Sequence, residues 1–87
     1  MDLIATFPSS QAALRAEQTL KGEAVPVELI PVPRQIRGDC GFCLLVEGCA
    51  EGSGERLRAC GARELWRVTV TQAGLSSRKV KHYERYP

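Results

Sequence analysis

The sequence of 87 residues lacks several features that define large classes of protein. It has no apolar run near the roughly 18 residues that cross a bilayer, and no basic region followed by an apolar stretch opens it. We therefore expect a cytoplasmic protein without a membrane partner. The length allows one hydrophobic core and no cleft between domains, which argues against most multi-substrate enzymes.

Motifs of nucleotide binding and acid/base catalysis are also missing. The glycine-rich stretch at residues 48–54 has neither the lysine nor the helix register of a phosphate-binding loop. The single histidine, His82, lies in a basic segment, and no Ser/His/Asp set can be assembled around it. The carboxylates show no pairing typical of general acid/base work. The sequence therefore predicts no cofactor and favours a binding or carrier protein over a stand-alone enzyme.

Charge is unevenly distributed along the chain. Residues 1–50 carry four basic and six acidic side chains, whereas residues 51–87 carry eight basic and four acidic ones. The basic excess near the C-terminus is interleaved with Tyr83 and Tyr86, which can stack on bases while the cations contact phosphates. Because the net charge is only +2, we expect a solvated tail or an edge strand protected by cations, and no nucleic-acid partner.

Hydrophobic periodicity predicts two helices in the chain. The first is expected at residues 10–21, because Ser9 or Ser10 can cap its start and Gly22 can end it. The second, shorter helix is expected at residues 54–60.

Strand patterns flank both helices. Strands are expected at residues 3–7, 25–32, 42–46 and 64–71. Prolines in the second strand, residues 25–32, place it at a sheet edge. The third strand, residues 42–46, is apolar on both faces and should lie inside the sheet. The order β-α-β-β-α-β predicts an α+β, ferredoxin-like domain over residues 1–71, an antiparallel sheet with both helices on one face. Residues 72–87 are expected to form a basic C-terminal tail or an extra edge strand.

The cysteines are the main functional question. They number four, many for this length, and are more typical of thiols, metal ligands or redox groups than of a structural disulfide framework. Cys40 is followed by Gly41 and preceded by Arg34 and Arg37, so positive charge and exposed backbone amides should favour its nucleophilic thiolate. Asp39 opposes that effect. The alternative is that Cys40 is an incidental loop residue.

Cys43 forms a C-x-x-C pair with Cys40. In an extended strand, residues three apart are about 10 Å apart and point to opposite faces, whereas a disulfide needs Cα atoms within roughly 7 Å. The apolar residues after Cys43 favour a strand, so a buried small hydrophobic residue is the first interpretation of Cys43. A resolving thiol or a ligand is the second.

A small zinc domain is a further alternative. Its ligands would be Cys40, Cys43, Cys49 and either Cys60 or His82. Structural zinc sites usually have two closely spaced ligand pairs, and only the first pair here has that spacing. We therefore expect no metal.

Three segments of the sequence resemble a known family. They are Thr6-Phe7-Pro8-Ser9 followed by Ala13-Leu14-Arg15-Ala16-Glu17, Leu29-Ile30-Pro31-Val32-Pro33-Arg34-Gln35-Ile36, and Asp39-Cys40-Gly41. They are similar to the small bacterial proteins called selenium/sulfur carrier-like, over residues 3–46. The resemblance implies a small α/β domain whose Cys40 carries sulfur or selenium as a persulfide or selenosulfide.

The carrier hypothesis implies protein partners. A sulfur or selenium donor such as a desulfurase would load Cys40, and an acceptor protein would unload it. Arg34 and Arg37 would stabilise the anionic persulfide, Gly41 would leave the sulfur uncovered, and Cys43 would act as a resolving thiol if it can approach. The competing hypothesis is a non-catalytic interaction module with incidental thiols, since ferredoxin-like domains often pair through a sheet face or edge and can form homodimers.

Overall fold

The computed structural model describes residues 2–36, 41–48, 52–72 and 79–86. Its elements are β1 (Asp2–Thr6), α1 (Ser10–Gly22), β2 (Val27–Pro31), β3 (Phe42–Val46), α2 (Ser53–Ala59), β4 (Glu64–Gln72) and β5 (Lys79–Tyr86). Both predicted helices and all four predicted strands are confirmed, with shifted ends. The expected α+β class is therefore correct.

Helix α1 begins as its sequence predicts. Ser9 has extended backbone angles, and its hydroxyl oxygen accepts a hydrogen bond from the N–H of Ala12 at 3.1 Å. That bond satisfies one of the amides that the first turn of a helix leaves without a partner. The helix buries Ala13, Ala16 and Leu20, which recur at helical spacing and fix the side that faces the sheet.

The five strands form one antiparallel sheet in the order β2-β3-β1-β4-β5. As expected, β2 lies at an edge and β3 lies inside the sheet. The fifth strand is the difference from the predicted four-stranded ferredoxin-like arrangement. Residues 79–86, expected as a tail or an extra strand, pair with β4 from Gln72↔Lys79 to Leu65↔Tyr86. The sheet therefore has one more strand than predicted, β5, at the edge opposite β2.

The two faces of the sheet are covered differently. On the helix face, residues of α1 and α2 pack against the sheet in one buried cluster. Its members are Leu3, Ala5, Phe7, Ala13, Ala16, Leu20, Leu44, Val46, Leu57 and Leu65. On the opposite face, called the open face below, a smaller buried cluster consists of Ile4, Ile36 and Cys43. Neighbouring residues of a strand point to opposite faces, and only one of these two sets packs against α1 and α2. Both helices therefore lie on one side of the sheet.

Candidate functional site

The loop between β2 and β3 carries most of the residues that the sequence singles out. Its two ends are held together just beyond the last strand pair, Pro31↔Phe42. There, the N–H of Val32 donates a hydrogen bond to the carbonyl oxygen of Gly41 at 3.1 Å. The ends of this loop, residues 32–41, are therefore fixed by the ladder of the sheet.

A tight turn at the start of this loop is anchored on the open face. The N–H of Ile36 donates to the carbonyl oxygen of Pro33 at 3.0 Å, which closes a four-residue turn. Ile36 itself is only 3% exposed and belongs to the same cluster as Ile4 and Cys43. One apolar side chain therefore ties the loop to the sheet.

The residues predicted to surround the carried sulfur lie in different parts of this loop. Arg34 is exposed within the turn that Ile36 anchors. Gly41 is exposed at the other end, and a Cβ atom added there would meet no atom within 4 Å. The surface beside Gly41 is thus open. Cys40 and Arg37 lie outside the described residues, so their predicted roles stay predictions.

Cys43 lies on β3 with its side chain on the open face. It is fully buried, and its thiol donates a long hydrogen bond, 3.9 Å, to the carbonyl oxygen of Pro31 on the neighbouring strand. This burial fits the interpretation of Cys43 as a small hydrophobic residue of the sheet. A resolving role requires the thiol to leave this position, and that role stays a prediction.

An aromatic pair borders the Cys43 cluster. Trp66 and Tyr83 are partly buried and pack against it from β4 and β5. Burial first, and the negative charge of the Cys43 thiolate second, raise the pKa of Tyr83 above its ordinary value of 10.0. The guanidinium of Arg85 lies over the Trp66 ring, 5.5 Å from its centroid, and also bonds Glu64 at 3.1 Å.

The remaining candidate ligands are separated by the sheet. Cys60 caps the end of α2 and packs against the helix-face cluster, whereas Cys43 belongs to the open face. His82 on β5 bonds the hydroxyl of Thr71 at 2.9 Å. A zinc site that used both Cys43 and Cys60 does not fit this fold. Cys49 lies outside the described residues, and within the described ranges no group of three or more His, Cys, Asp or Glu side chains is placed to hold a metal ion.

Ile36 is the residue of this site that sequence reasoning missed. The segment around it has no clear hydrophobic periodicity, which predicts a loop but no anchor. The available signal was that Ile36 is the one large aliphatic residue between Val32 and Phe42. A lone aliphatic side chain in a polar loop gains free energy by burial, so it predicts an anchor.

Residues 2–55 match the family described as "Putative Se/S carrier protein-like". The chain belongs to this Se/S carrier-like family. The match runs from β1 into α2 and includes the whole loop between β2 and β3, which confirms the resemblance inferred from the sequence. No curated protein and no solved structure matches the chain. Among the residues with described positions, no helix is long and apolar enough to cross a membrane.

Proposed function

We propose that this protein carries sulfur or selenium on Cys40 between a donor protein and an acceptor protein. The observation that carries the proposal is membership of the Se/S carrier-like family over residues 2–55, a range that contains Cys40. A carrier acts through partners and needs no enclosed pocket, which suits a single small domain. We assign the protein to the cytoplasm, where thiols stay reduced.

Loading is a transfer of the outer sulfur atom. The Cys40 thiolate attacks the terminal sulfur of a donor persulfide, a new S–S bond forms at Cys40, and the donor S–S bond breaks. The donor leaves as a thiolate and the transferred sulfur keeps its proton, so no net oxidation occurs. A perselenide donor reacts in the same way and leaves a selenosulfide on Cys40. A desulfurase that forms a cysteine persulfide is the class of donor that this chemistry requires.

Unloading is the same kind of reaction with Cys40 as the leaving group. A nucleophile of the acceptor attacks the terminal sulfur or selenium, and Cys40 leaves as a thiolate. The anchoring of Val32, Ile36 and Gly41 supports this role, because it shortens the part of the loop that has to be ordered when a partner binds. We assign to the exposed guanidinium of Arg34 the role of stabilising the negative charge of the loaded persulfide or selenosulfide.

Reductive release through Cys43 is a second route. Its thiolate would attack the inner sulfur of the Cys40 persulfide, expel hydrosulfide and leave a Cys40–Cys43 disulfide. Cys43 is fully buried, so this route requires the start of β3 to detach from the sheet. We therefore propose direct transfer to an acceptor as the main route.

The test is persulfide labelling of the reduced protein. The protein is treated with a small persulfide donor, and the added sulfur is located by mass spectrometry of peptides. We expect one added sulfur on Cys40 and loss of the label in Cys40→Ser. Cys60→Ser is the matched control, because Cys60 is partly buried against the helix-face cluster. A label absent from Cys40, or unchanged in Cys40→Ser, overturns the proposal.

A further inference from the structure

The open face of the sheet has two unequal halves. Over β1 and β3, the turn at residues 33–36 covers Ile4 and Cys43, which are almost fully buried. Over β4, the apolar side chains stay partly open: Trp66 and Val68 are half-buried, and Val70 is 51% exposed. A ridge therefore lies beside an apolar trough on the same face.

One row of residues crosses this face from edge to edge. Strand pairing aligns Glu28 with Leu45, Leu45 with Ile4, Ile4 with Trp66, and Trp66 with Arg85. All five side chains are on the open face because they occupy the same phase of the strand alternation. The row begins with an exposed carboxylate, continues through three apolar residues and ends with an exposed guanidinium. Its two ends have opposite charge.

Such a row is complementary to its own copy turned around. A two-fold axis that runs parallel to the strands, above β1, lays each row over the same row in reverse order. Glu28 of one protomer then meets Arg85 of its partner, and the contact occurs twice. The centre is apolar and the rim is charged, as in stable protein interfaces.

The same axis also matches the shapes of the two halves. It brings the β3 side of one protomer over the β4 side of the other. An axis parallel to the strands leaves every residue at its own position along them, so the turn at residues 33–36 of each protomer lies over the partner's β4 half at the height of Trp66, which pairs with Ile4.

We propose that this chain forms a two-fold symmetric homodimer through the open faces of its sheets. Arg85 has donors for a second carboxylate, because its bond to Glu64 leaves its side chain 59% exposed. An axis parallel to the strands keeps strand direction, so both β2–β3 loops lie at the same end of the dimer. The proposal is independent of any thiol chemistry.

The test is a charge swap followed by analytical ultracentrifugation of the full chain over a dilution series with a phosphine reductant. We expect a reversible dimer for the wild type. Glu28→Arg and Arg85→Glu each place like charges at both contacts and should weaken association about tenfold or more. The double variant, which exchanges the two charges, should restore it. Glu55→Arg, an exposed position on α2, is the control and should associate like the wild type.

Glu28→Gln is a second, independent variant. Glu28 is exposed in the monomer, so the substitution should leave the circular dichroism spectrum unchanged, and it should weaken the dimer less than Glu28→Arg because it removes the carboxylate without adding a like charge. If Arg85→Glu fails to fold, the two Glu28 variants still decide the question. A wild-type chain that stays monomeric at every concentration overturns the proposal. So does a dimer that Glu28→Arg leaves unchanged, or a double variant that folds but does not regain association.

Discussion

Ile36 and Cys43 are packed in one buried cluster, although one lies in a loop and the other on a strand. The contact joins the loop that precedes β3 to β3 itself. Since the cysteine proposed as the carrier belongs to the same loop, the anchoring of Ile36 has consequences that can be measured.

Ile36→Ala should lower the free energy of unfolding by about 2 kcal/mol, because it removes a nearly fully buried aliphatic side chain. Ile36→Val should cost about 1 kcal/mol. Urea unfolding followed by tryptophan fluorescence measures both. The exposed neighbour provides the control: Gln35→Ala should change the value by less than about 0.5 kcal/mol. Equal effects of Ile36→Ala and Gln35→Ala would show that the turn is not anchored on the sheet.

Cys43 should be alkylated slowly in the native protein, because its side chain is fully buried and its thiol bonds Pro31. The rate should rise steeply in denaturant as the sheet opens. Mass spectrometry of peptides after pulses of iodoacetamide measures the rate at each cysteine. Fast native labelling of Cys43 would contradict this expectation and would favour its proposed resolving role.

Tyr83 should ionise above pH 10, because burial raises its pKa. A raised pKa of an acid means that the folded state holds the proton more tightly than the unfolded state. Its contribution to stability is therefore complete below pH 10 and is lost as the pH rises through the folded-state value. The tyrosinate absorbance of the wild type minus that of Tyr83→Phe isolates the transition. A difference curve centred at or below pH 10 would refute the prediction.

Gly54 of α2 lies against β5. A Cβ atom at this position would be 3.0 Å from the ring of Tyr86 and 3.3 Å from Leu65. We expect Gly54→Ala to lower the free energy of unfolding by about 1 kcal/mol, since the ring must shift. Gly22→Ala is the control: it has open space within 4 Å and should raise stability by about 0.5 kcal/mol. In a Tyr86→Ala background, the penalty at Gly54 should shrink, and a penalty of unchanged size would exclude the Tyr86 contact as its cause.

The local elements could be predicted because their signals are local. The cap of α1 is one hydrogen bond between Ser9 and Ala12, and its buried side follows from the spacing of Ala13, Ala16 and Leu20. The interior position of β3 followed from its apolar residues on both faces. The family was also visible in short segments around the loop, and residues 2–55 match it.

The sequence could not decide whether the residues of β5 pair with the sheet or form a free tail. Its residues mix charged side chains with Val80 and two tyrosines, a composition that suits a solvated extension as well as an edge strand. Backbone hydrogen bonds to β4 make this segment a strand, together with side-chain contacts such as the salt bridge between Arg67 and Glu84 at 2.7 Å. These contacts join residues far apart in the chain.

By itself, the sequence determined the two helices, the first four strands and the family, because capping, periodicity and short motifs depend on neighbours in the chain. Tertiary structure alone decided that Ile36 packs with Cys43, and that Cys43 and Cys60 lie on opposite faces. It also decided that Glu28 and Arg85 stand at the two ends of one row. The physical reason is that burial and register are set by strand pairing, which brings together residues that the chain holds far apart.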